Sequence, residues 1–238
     1  MNEAVLQLHQ MIGQAQNIVF FGGAGVSTES GIPDFRSAHG LYAGAHGMSY
    51  EDMLSSGYFR AQPDKFWAFY KQVMLYPDAK PNAAHYALAK LEKQGRLKAV
   101  LTQNIDGLHQ AAGSKKVWEL HGTVHQNFCM DCGRCYDLAY VLGQEGTPHC
   151  RKCGGMLRPG IVLYGEPLDE VVMEEAVRAI QSCDLLIVGG TSLVVYPAAG
   201  LIRYRRPRTP LVLINRDETP YDREAQLVLH ENIAQVWE

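Results

Sequence analysis

Four short apolar runs constrain this chain more than any other feature: Ile18 to Phe21, Ala99 to Leu101, Leu185 to Val188 and Leu211 to Ile214. None alternates apolar with polar residues, as a strand with one wet face would. Each suits a strand buried on both faces, the signature of a parallel sheet covered by helices. Helical patterns lie between them. Ala84, Leu88 and Leu91 recur at helical spacing in a segment opened by Pro81 and closed by Gly95, and Met173, Val177 and Ile180 recur after the capping candidate Asp169. Strands alternating with helices predict a doubly wound α/β fold.

The residues just past each run are chemically richer than the run itself. The first run leads into Gly22-Gly23-Ala24-Gly25, the second into Thr102-Gln103-Asn104, the third into Gly189-Gly190-Thr191-Ser192 and the fourth into Asn215. Ligands of open parallel sheets bind outside the carboxyl ends of the strands, so these segments should converge on one crevice. Gly23-Ala24-Gly25-Val26-Ser27 predicts a turn into a helix, with small residues that let backbone approach a pyrophosphate. Thr28 stands where the third glycine of a dinucleotide fingerprint would be. Thr102 to His109 sets two amides, a carboxylate and an imidazole just past a strand, and Glu119-Leu120-His121-Gly122 comes after the short run Val117-Trp118. A histidine with glycine beside it near a crevice can act as a general base, and it can equally be an ordinary loop residue.

Two stretches break the strand and helix rhythm. Five of the six cysteines fall between Cys129 and Cys153, and such crowding favours a metal over disulfides in a reducing compartment. Cys129-x2-Cys132, 17 residues, then Cys150-x2-Cys153 is the spacing of a four-thiolate structural zinc site. Such a site has no open position for water, so its metal would hold the insert together rather than enter a reaction. Cys132-x2-Cys135 is also a legal knuckle. Cys183, ahead of a buried run, reads as a core residue. The other stretch, Arg36 to about Tyr76, has Gly40, Gly44 and Gly47 before Phe59, Phe66, Trp67, Phe69 and Tyr70, and reads as a mobile glycine-rich loop leading into helices.

Composition narrows the function. With 238 residues, 47% apolar, the chain can bury a large core and is not disordered. A net charge of −3, from 22 basic and 25 acidic residues, makes general attraction to nucleic acid or an anionic membrane a poor default, and Arg203 to Arg208 is the one concentrated basic run. The apolar runs fall far short of the roughly 20 residues of a membrane helix. The start, Met1-Asn2-Glu3, has neither the basic nor the apolar region of a signal peptide, which predicts a cytoplasmic location.

Taken in order, Gly23 to Ser27 with Gly31-Ile32-Pro33-Asp34-Phe35-Arg36, Thr102 to Asp106 with Leu108-His109, Glu119 to Gly122, the cysteine pairs, Arg158-Pro159-x-Ile161-Val162 with Gly165-Glu166, and Gly190 to Leu193 resemble the sirtuin family of NAD-dependent protein-lysine deacylases, its bacterial deacetylases in particular. The likeness runs from about Ile18 to Asn215. It implies a Rossmann-like NAD-binding domain over 1–35, 77–123 and 159–238, a cofactor loop and helical insertion over 36–76, and a zinc-binding module over 124–158.

By position, the resemblance implies that Ala24, Thr28, Gln103, Thr191, Ser192 and Asn215 hold the phosphates, riboses and adenine of NAD. Phe35, Ile105 and Asp106 would form the nicotinamide pocket, and Arg36 would order the cofactor loop. Asn104 would orient the ribose hydroxyls and His121 would be the general base. In the family mechanism the acetyl-lysine oxygen attacks the anomeric carbon as nicotinamide leaves, giving an alkylamidate. The histidine then activates a ribose hydroxyl. Free lysine, nicotinamide and O-acetyl-ADP-ribose result. Val162-Leu163-Tyr164-Gly165-Glu166 and Leu193-Val194-Val195-Tyr196 resemble the segments between which such enzymes bind the acetylated protein or peptide as an added strand, with Val162 and Tyr164 lining the acyl tunnel and Gly165 and Val194 beside the peptide. Zinc would sit on Cys129, Cys132, Cys150 and Cys153.

Three positions depart from the family pattern. Gly22 replaces a common threonine and Tyr164 a usual phenylalanine. Val73 in Tyr70-Lys71-Gln72-Val73 stands where relatives that remove succinyl or malonyl groups carry arginine, so acetyl or a longer neutral acyl group is expected. NAD-dependent ADP-ribosyl transfer on the same fold is an alternative, because the same cofactor cleavage serves both outcomes. A zinc-ribbon nucleic-acid binder is a further one, against which the net charge counts.

Overall fold

The computed structural model describes residues 3–34 and 48–237. Phe35, Arg36 and the loop glycines Gly40, Gly44 and Gly47 lie outside the described residues. The helices are α1 (Glu3–Gln14), α2 (Tyr50–Met53), α3 (Ser56–Ala61), α4 (Pro63–Val73), α5 (Ala83–Lys93), α6 (Leu108–Ala111), α7 (Leu138–Leu142), α8 (Glu170–Ser182) and α9 (Ile233–Val236). The strands are β1 (Ile18–Gly22), β2 (Leu97–Thr102), β3 (Val117–Glu119), β4 (Gly122–Cys129), β5 (Cys135–Tyr136), β6 (Leu157–Ile161), β7 (Leu185–Gly189), β8 (Leu211–Ile214) and β9 (Leu227–Leu229).

Six of these strands form a parallel sheet in the order β3-β2-β1-β7-β8-β9. Counted along the chain this is 3-2-1-4-5-6, the doubly wound order, and the chain reverses direction across the sheet between β1 and β7. Both faces are covered, as the unbroken apolar runs require. Ile18 and Phe20 of β1 pack with Leu8, Leu88 and Ile233 on one side, while Val19 and Phe21 pack with Ile180, Leu201 and Ile202 on the other.

Local signals place the covering helices. Asn82 caps α5 by accepting from the Ala84 N–H at 3.0 Å, and Asp169 caps α8 by accepting from the Val172 N–H at 3.0 Å. Gly95 ends the α5 turn at φ +75°, a conformation that favours glycine.

The helix expected after Gly25 is instead two short 3-10 turns, Ala24–Val26 and Thr28–Ser30. Thr28 Oγ1 donates to the Gly25 carbonyl at 3.1 Å and Gly31 turns left-handed at φ +83°. Short hydroxyl side chains compete for backbone groups there, and no apolar stripe exists to hold a longer helix.

A second, antiparallel sheet has the order β5-β4-β6. It does not stand alone: Val124, Leu138, Val141, Leu157 and Ile161 share one core with Phe59, Phe66, Trp67 and Tyr70 of α3 and α4. Phe66 stacks on Tyr70 at 5.5 Å between ring centroids, and Trp67 meets both edge-on. Polar ties reinforce the contact. Lys71 Nζ donates to the Gln144 and Gly146 carbonyls at 2.6 and 2.8 Å, and Thr147 Oγ1 donates to Asp64 at 2.5 Å.

Candidate active site and metal centre

A cleft of about 560 Å³ opens at the carboxyl ends of β1 and β7 and runs toward the small sheet. Its walls include Ala24, Thr28, Gln103, Asn104, Ile105 and Asp106, then His121, Thr191, Ser192 and Asn215, and on the far side Val162, Tyr164 and Gly165. Val194 is not among the lining residues; its side chain is exposed beside Val195 and Tyr196, which are.

The floor is built by close backbone approach. A Cβ on Gly23 would lie 2.6 Å from Thr191 Cβ and 2.8 Å from the Gly190 carbonyl oxygen, and one on Gly25 would lie 2.7 Å from Gly190 Cα. Only glycine lets the first and third glycine-rich segments touch. Gly25 N–H donates to the Gly190 carbonyl at 2.8 Å, and Thr191 Oγ1 donates to Gln103 Oε1 at 2.9 Å. Gly22 has its own reason: a Cβ there would meet the Phe20 ring at 2.7 Å, so the phenyl group fills the space a threonine would take.

Asn104 and Asp106 are joined through Ser27, a residue that sequence reasoning did not assign to the site. Asn104 Nδ2 donates to Ser27 Oγ at 3.0 Å, and Ser27 Oγ donates to Asp106 Oδ2 at 2.6 Å. Ser27 is 1% exposed, so its hydroxyl has no water to replace these partners. The other Asp106 oxygen accepts from the Leu108 N–H at 2.9 Å. The only hint was a hydroxyl inside a glycine-rich turn; its burial depends on the 102–109 segment folding over it. That segment is pinned from outside as well, because His125 Nε2 donates to the Asp106 carbonyl at 3.0 Å and Gly107, at φ +72°, leaves room for the His125 ring.

His121 sits where β3 hands over to β4. Leu120 N–H donates to the Thr102 carbonyl, and the His121 carbonyl accepts from Val162 N–H, so the residue is fastened to both sheets. Its Nδ1 lies 3.0 Å from the Gln103 carbonyl. A carbonyl can only accept, so Nδ1 carries the proton and Nε2 has the free lone pair. Burial lowers the His121 pKa, partly offset by the Gln103 carbonyl, which keeps the ring neutral and basic near neutral pH. Gly122 is required next to it: at φ +74°, an added Cβ would lie 2.2 Å from the Gly160 carbonyl.

The far wall is held by Arg158, whose guanidinium donates to both Glu166 oxygens at 3.2 and 3.0 Å, while Glu166 accepts from the Leu163 N–H at 2.9 Å. Tyr164 N–H donates to the Leu54 carbonyl and Ser56 N–H to the Tyr164 carbonyl, both at 3.0 Å, joining this wall to the helical insertion. Val73 and Met74 line the cleft on that side. No basic side chain replaces the missing arginine at position 73 itself.

The metal centre lies at the other end of the small sheet. The Sγ atoms of Cys129, Cys132, Cys150 and Cys153 all fall within 4.8 Å of one another. Cys129 to Cys153 is 3.4 Å and Cys132 to Cys150 is 3.7 Å. Four sulfurs about 2.3 Å from a tetrahedral zinc would be about 3.8 Å apart, so the donor set fits. Cys135 falls outside the cluster, with its Sγ turned to the Tyr136 carbonyl at 3.9 Å, so the clustered sulfurs are those of the Cys129-x2-Cys132 and Cys150-x2-Cys153 pairs. The Tyr136 hydroxyl lies 2.9 Å from Cys150 Sγ, so with a metal-bound thiolate at that position the hydroxyl is the group that can donate. Cys183 is buried in the core, as expected.

Comparison with known proteins agrees with this geometry. The family model described as Sir2 family matches residues 23–197. The NAD-dependent protein deacetylase of Clostridium acetobutylicum is 56% identical over 239 residues, covering 99% of this chain and 97% of its own. That of Staphylococcus aureus strain N315 is 45% identical, covering 96% and 94%. Among solved structures, a Sir2 variant with a deacetylated p53 peptide and 3'-O-acetyl-ADP-ribose superposes with a TM-score of 0.89 at 38% identity, covering 98% of this chain and 95% of the other. A Sir2 protein bound to a propionylated peptide gives 0.86 at 38% identity, with the same coverage of both chains. A family model over most of the chain, and sequence and fold shared over nearly its whole length, mean that this chain belongs to the Sir2, or sirtuin, family.

Proposed function

We propose that this protein removes acetyl groups from lysine side chains of proteins in an NAD-dependent reaction that releases nicotinamide and O-acetyl-ADP-ribose. The observation that carries the reading is the convergence of His121, Asn104 and Asp106 on one cleft at the strand-order reversal, with His121 held in the tautomer of a base. NAD, when bound, supplies a labile bond between nicotinamide and ribose and the hydroxyl that takes the acetyl group. Ala24, Thr28, Gln103, Thr191, Ser192 and Asn215 would hold it along the carboxyl ends of the strands, and the tight Gly23, Gly25 and Gly190 contact leaves its backbone bed open. Phe35 and Arg36 would complete this set.

Asp106 accepts from the Ser27 hydroxyl and the Leu108 N–H, so its carboxylate is fixed for a donor such as a carboxamide. Asn104, tied to the same hydroxyl, directs its remaining amide capacity to ribose hydroxyls. His121 Nε2 takes a proton from a hydroxyl and returns it as products leave, a role worth about 10² to 10⁴ in rate. Val162, Tyr164, Gly165 and Val194 bind the acyl-lysine and its backbone. Val73 and the apolar wall around it favour acetyl or another small neutral acyl group over a charged one. Zinc on the four thiolates holds the small sheet and takes no part in the chemistry. Four reduced thiolates suit the cytoplasm.

The test is an acetyl-lysine peptide incubated with NAD and monitored by mass spectrometry. O-acetyl-ADP-ribose with loss of acetyl from the peptide is expected, whereas mass gained on protein would mean ADP-ribosyl transfer. His121→Ala should fold, keep its zinc and lose at least about a hundredfold in turnover; near-normal deacetylation by that variant refutes the assigned base.

A further inference from the structure

The reaction leaves the basic run Arg203 to Arg208 unexplained. It occupies the end of the 3-10 stretch Ala198–Tyr204 and the loop beyond, and that stretch begins directly after Val195, Tyr196 and Pro197 of the cleft wall. Its arginines are not equivalent. Arg205 is internal: its Nη1 donates to the Thr209 carbonyl at 2.7 Å, its Nη2 lies 3.8 Å from Glu224, and its side chain is 12% exposed. Arg203 is exposed and is aimed by a single bond, from Nε to the Tyr221 hydroxyl at 3.2 Å.

That hydroxyl has a second neighbour. Tyr221 is buried, and burial together with the neighbouring Tyr196 phenol pushes its pKa up. The Tyr196 ring is 58% exposed and lines the cleft. The buried phenol therefore anchors the guanidinium, and Tyr196 at the lip stands close enough to act on the charge of both. The terminal nitrogens of Arg203 carry no hydrogen bond or ion pair among the described residues. Glu224, the nearest acidic influence, is turned to Arg205. A planar guanidinium held at Nε presents its two Nη groups as a ready fork for a carboxylate.

We infer that Arg203 selects substrates, favouring peptides with an acidic side chain beside the acetylated lysine on the flank that covers Tyr196. This rests on the deacetylase reading, which lays the substrate along 193–196. Within 162–166 and 193–197 the exposed residues are uncharged and Glu166 is taken up by Arg158, so along this surface Arg203 is the neighbouring group that can discriminate by charge. An exposed pair of this kind contributes modestly, about a threefold to fivefold preference for Glu over Gln at low salt.

The experiment measures binding of fluorescein-labelled acetyl-lysine peptides to the full chain by anisotropy. A single Glu, Gln or Lys is walked through the three positions on either side of the acetyl-lysine. At one position Glu should bind about threefold to fivefold tighter than Gln, and about half a molar salt should remove the difference. Arg203→Ala should abolish the preference, Arg203→Glu should shift it to Lys, and Arg206→Ala, which removes the same charge from an unanchored neighbour, should leave it intact. If Arg203→Ala does not fold, Arg203→Gln, which keeps an N–H for Tyr221, carries the same expectation. A flat scan in the wild type, a preference that survives loss of Arg203, or equal loss in Arg206→Ala overturns the inference. Turnover of the Gln peptide with NAD, measured in parallel, should stay within about twofold in every variant. Absence of that turnover in the wild type would refute deacetylation, while the affinities would still decide the role of Arg203.

Discussion

Acid should unfold this protein through two histidines that take no part in the proposed chemistry. His85 of α5 and His109 of α6 are 0% and 1% exposed, with ring centroids 4.7 Å apart. His85 Nδ1 accepts from the Asn82 N–H at 3.2 Å, but His85 Nε2 and both nitrogens of His109 have no hydrogen-bond partner among the described residues. Burial pushes His109 down to about 3, with His85 adding to the effect, and pushes His85 down to about 4 against the opposing pull of Asp106. Both are depressed relative to an unfolded histidine near 6.5, so each is neutral in the fold and stability is fully present above that value. As pH falls below it, the unfolded chain gains protons that the folded chain refuses. At pH 5.5 each histidine has removed about 1.4 kcal/mol relative to pH 8, about 3 kcal/mol together, with a local slope of about 1.2 kcal/mol per pH unit each. The result hardly depends on how far the pKa is depressed once it lies a unit below the working pH.

His109→Leu removes one of the two while keeping the site apolar. Denaturant unfolding from pH 5.5 to 8 in the wild type and the variant cancels carboxylate and thiolate contributions common to both. The wild-type curve should fall more steeply toward acid by about 1 kcal/mol per pH unit. Parallel curves would mean that His109 is protonated in the fold or exposed, and would refute the effect assigned to its burial.

Contacts at the cleft and the metal centre lead to further outcomes. Cys153→Ser should release zinc and melt the small sheet, whereas Cys135→Ser should keep full metal content; metal analysis with far-ultraviolet dichroism decides both. Gly23→Ala drives a Cβ to 2.6 Å from Thr191 Cβ, so it should cost about 1–3 kcal/mol in a melt and weaken NAD binding by titration. A succinyl-lysine peptide should turn over about 10- to 100-fold more slowly than its acetyl counterpart, because Val73 offers the carboxylate no charge-assisted bond; equal rates would contradict this.

The sheet was legible because a strand buried on both faces has to be apolar throughout, and β1, β2, β7 and β8 are. The sixth strand, β9, escaped notice: Leu227–Leu229 is three residues long, and only pairing with β8 makes it a strand. The thiolate cluster could be read from spacing, but the choice between Cys135 and its neighbours needed the turn at Gly133, φ +68°, that carries Cys135 into β5. Among cleft residues, His121, Asn104 and Asp106 could be placed from strand ends. Ser27 could not, since its importance lies in being enclosed by a segment some 80 residues later, and sequence separation hides such a contact.

The place of His121 explains why a metal site remote from the cleft should still govern activity. The residue before it is hydrogen-bonded to β2 of the parallel sheet, and its own carbonyl is bonded to the chain leaving β6 of the small sheet. Its ring is therefore oriented by the angle between the two sheets. That angle is held on one side by the His125 contact with the Asp106 carbonyl and on the other by the core that α3 and α4 share with β4 and β6. Cys129 and Cys150 belong to the same core. Losing the metal would loosen the packing that fixes the Nδ1 bond to Gln103, and with it the tautomer. Catalytic loss on chelation should thus appear first in turnover, with NAD affinity declining later, because the proposed NAD bed closes where Gly23 and Gly25 meet Thr191 and Gly190 at the ends of the parallel sheet.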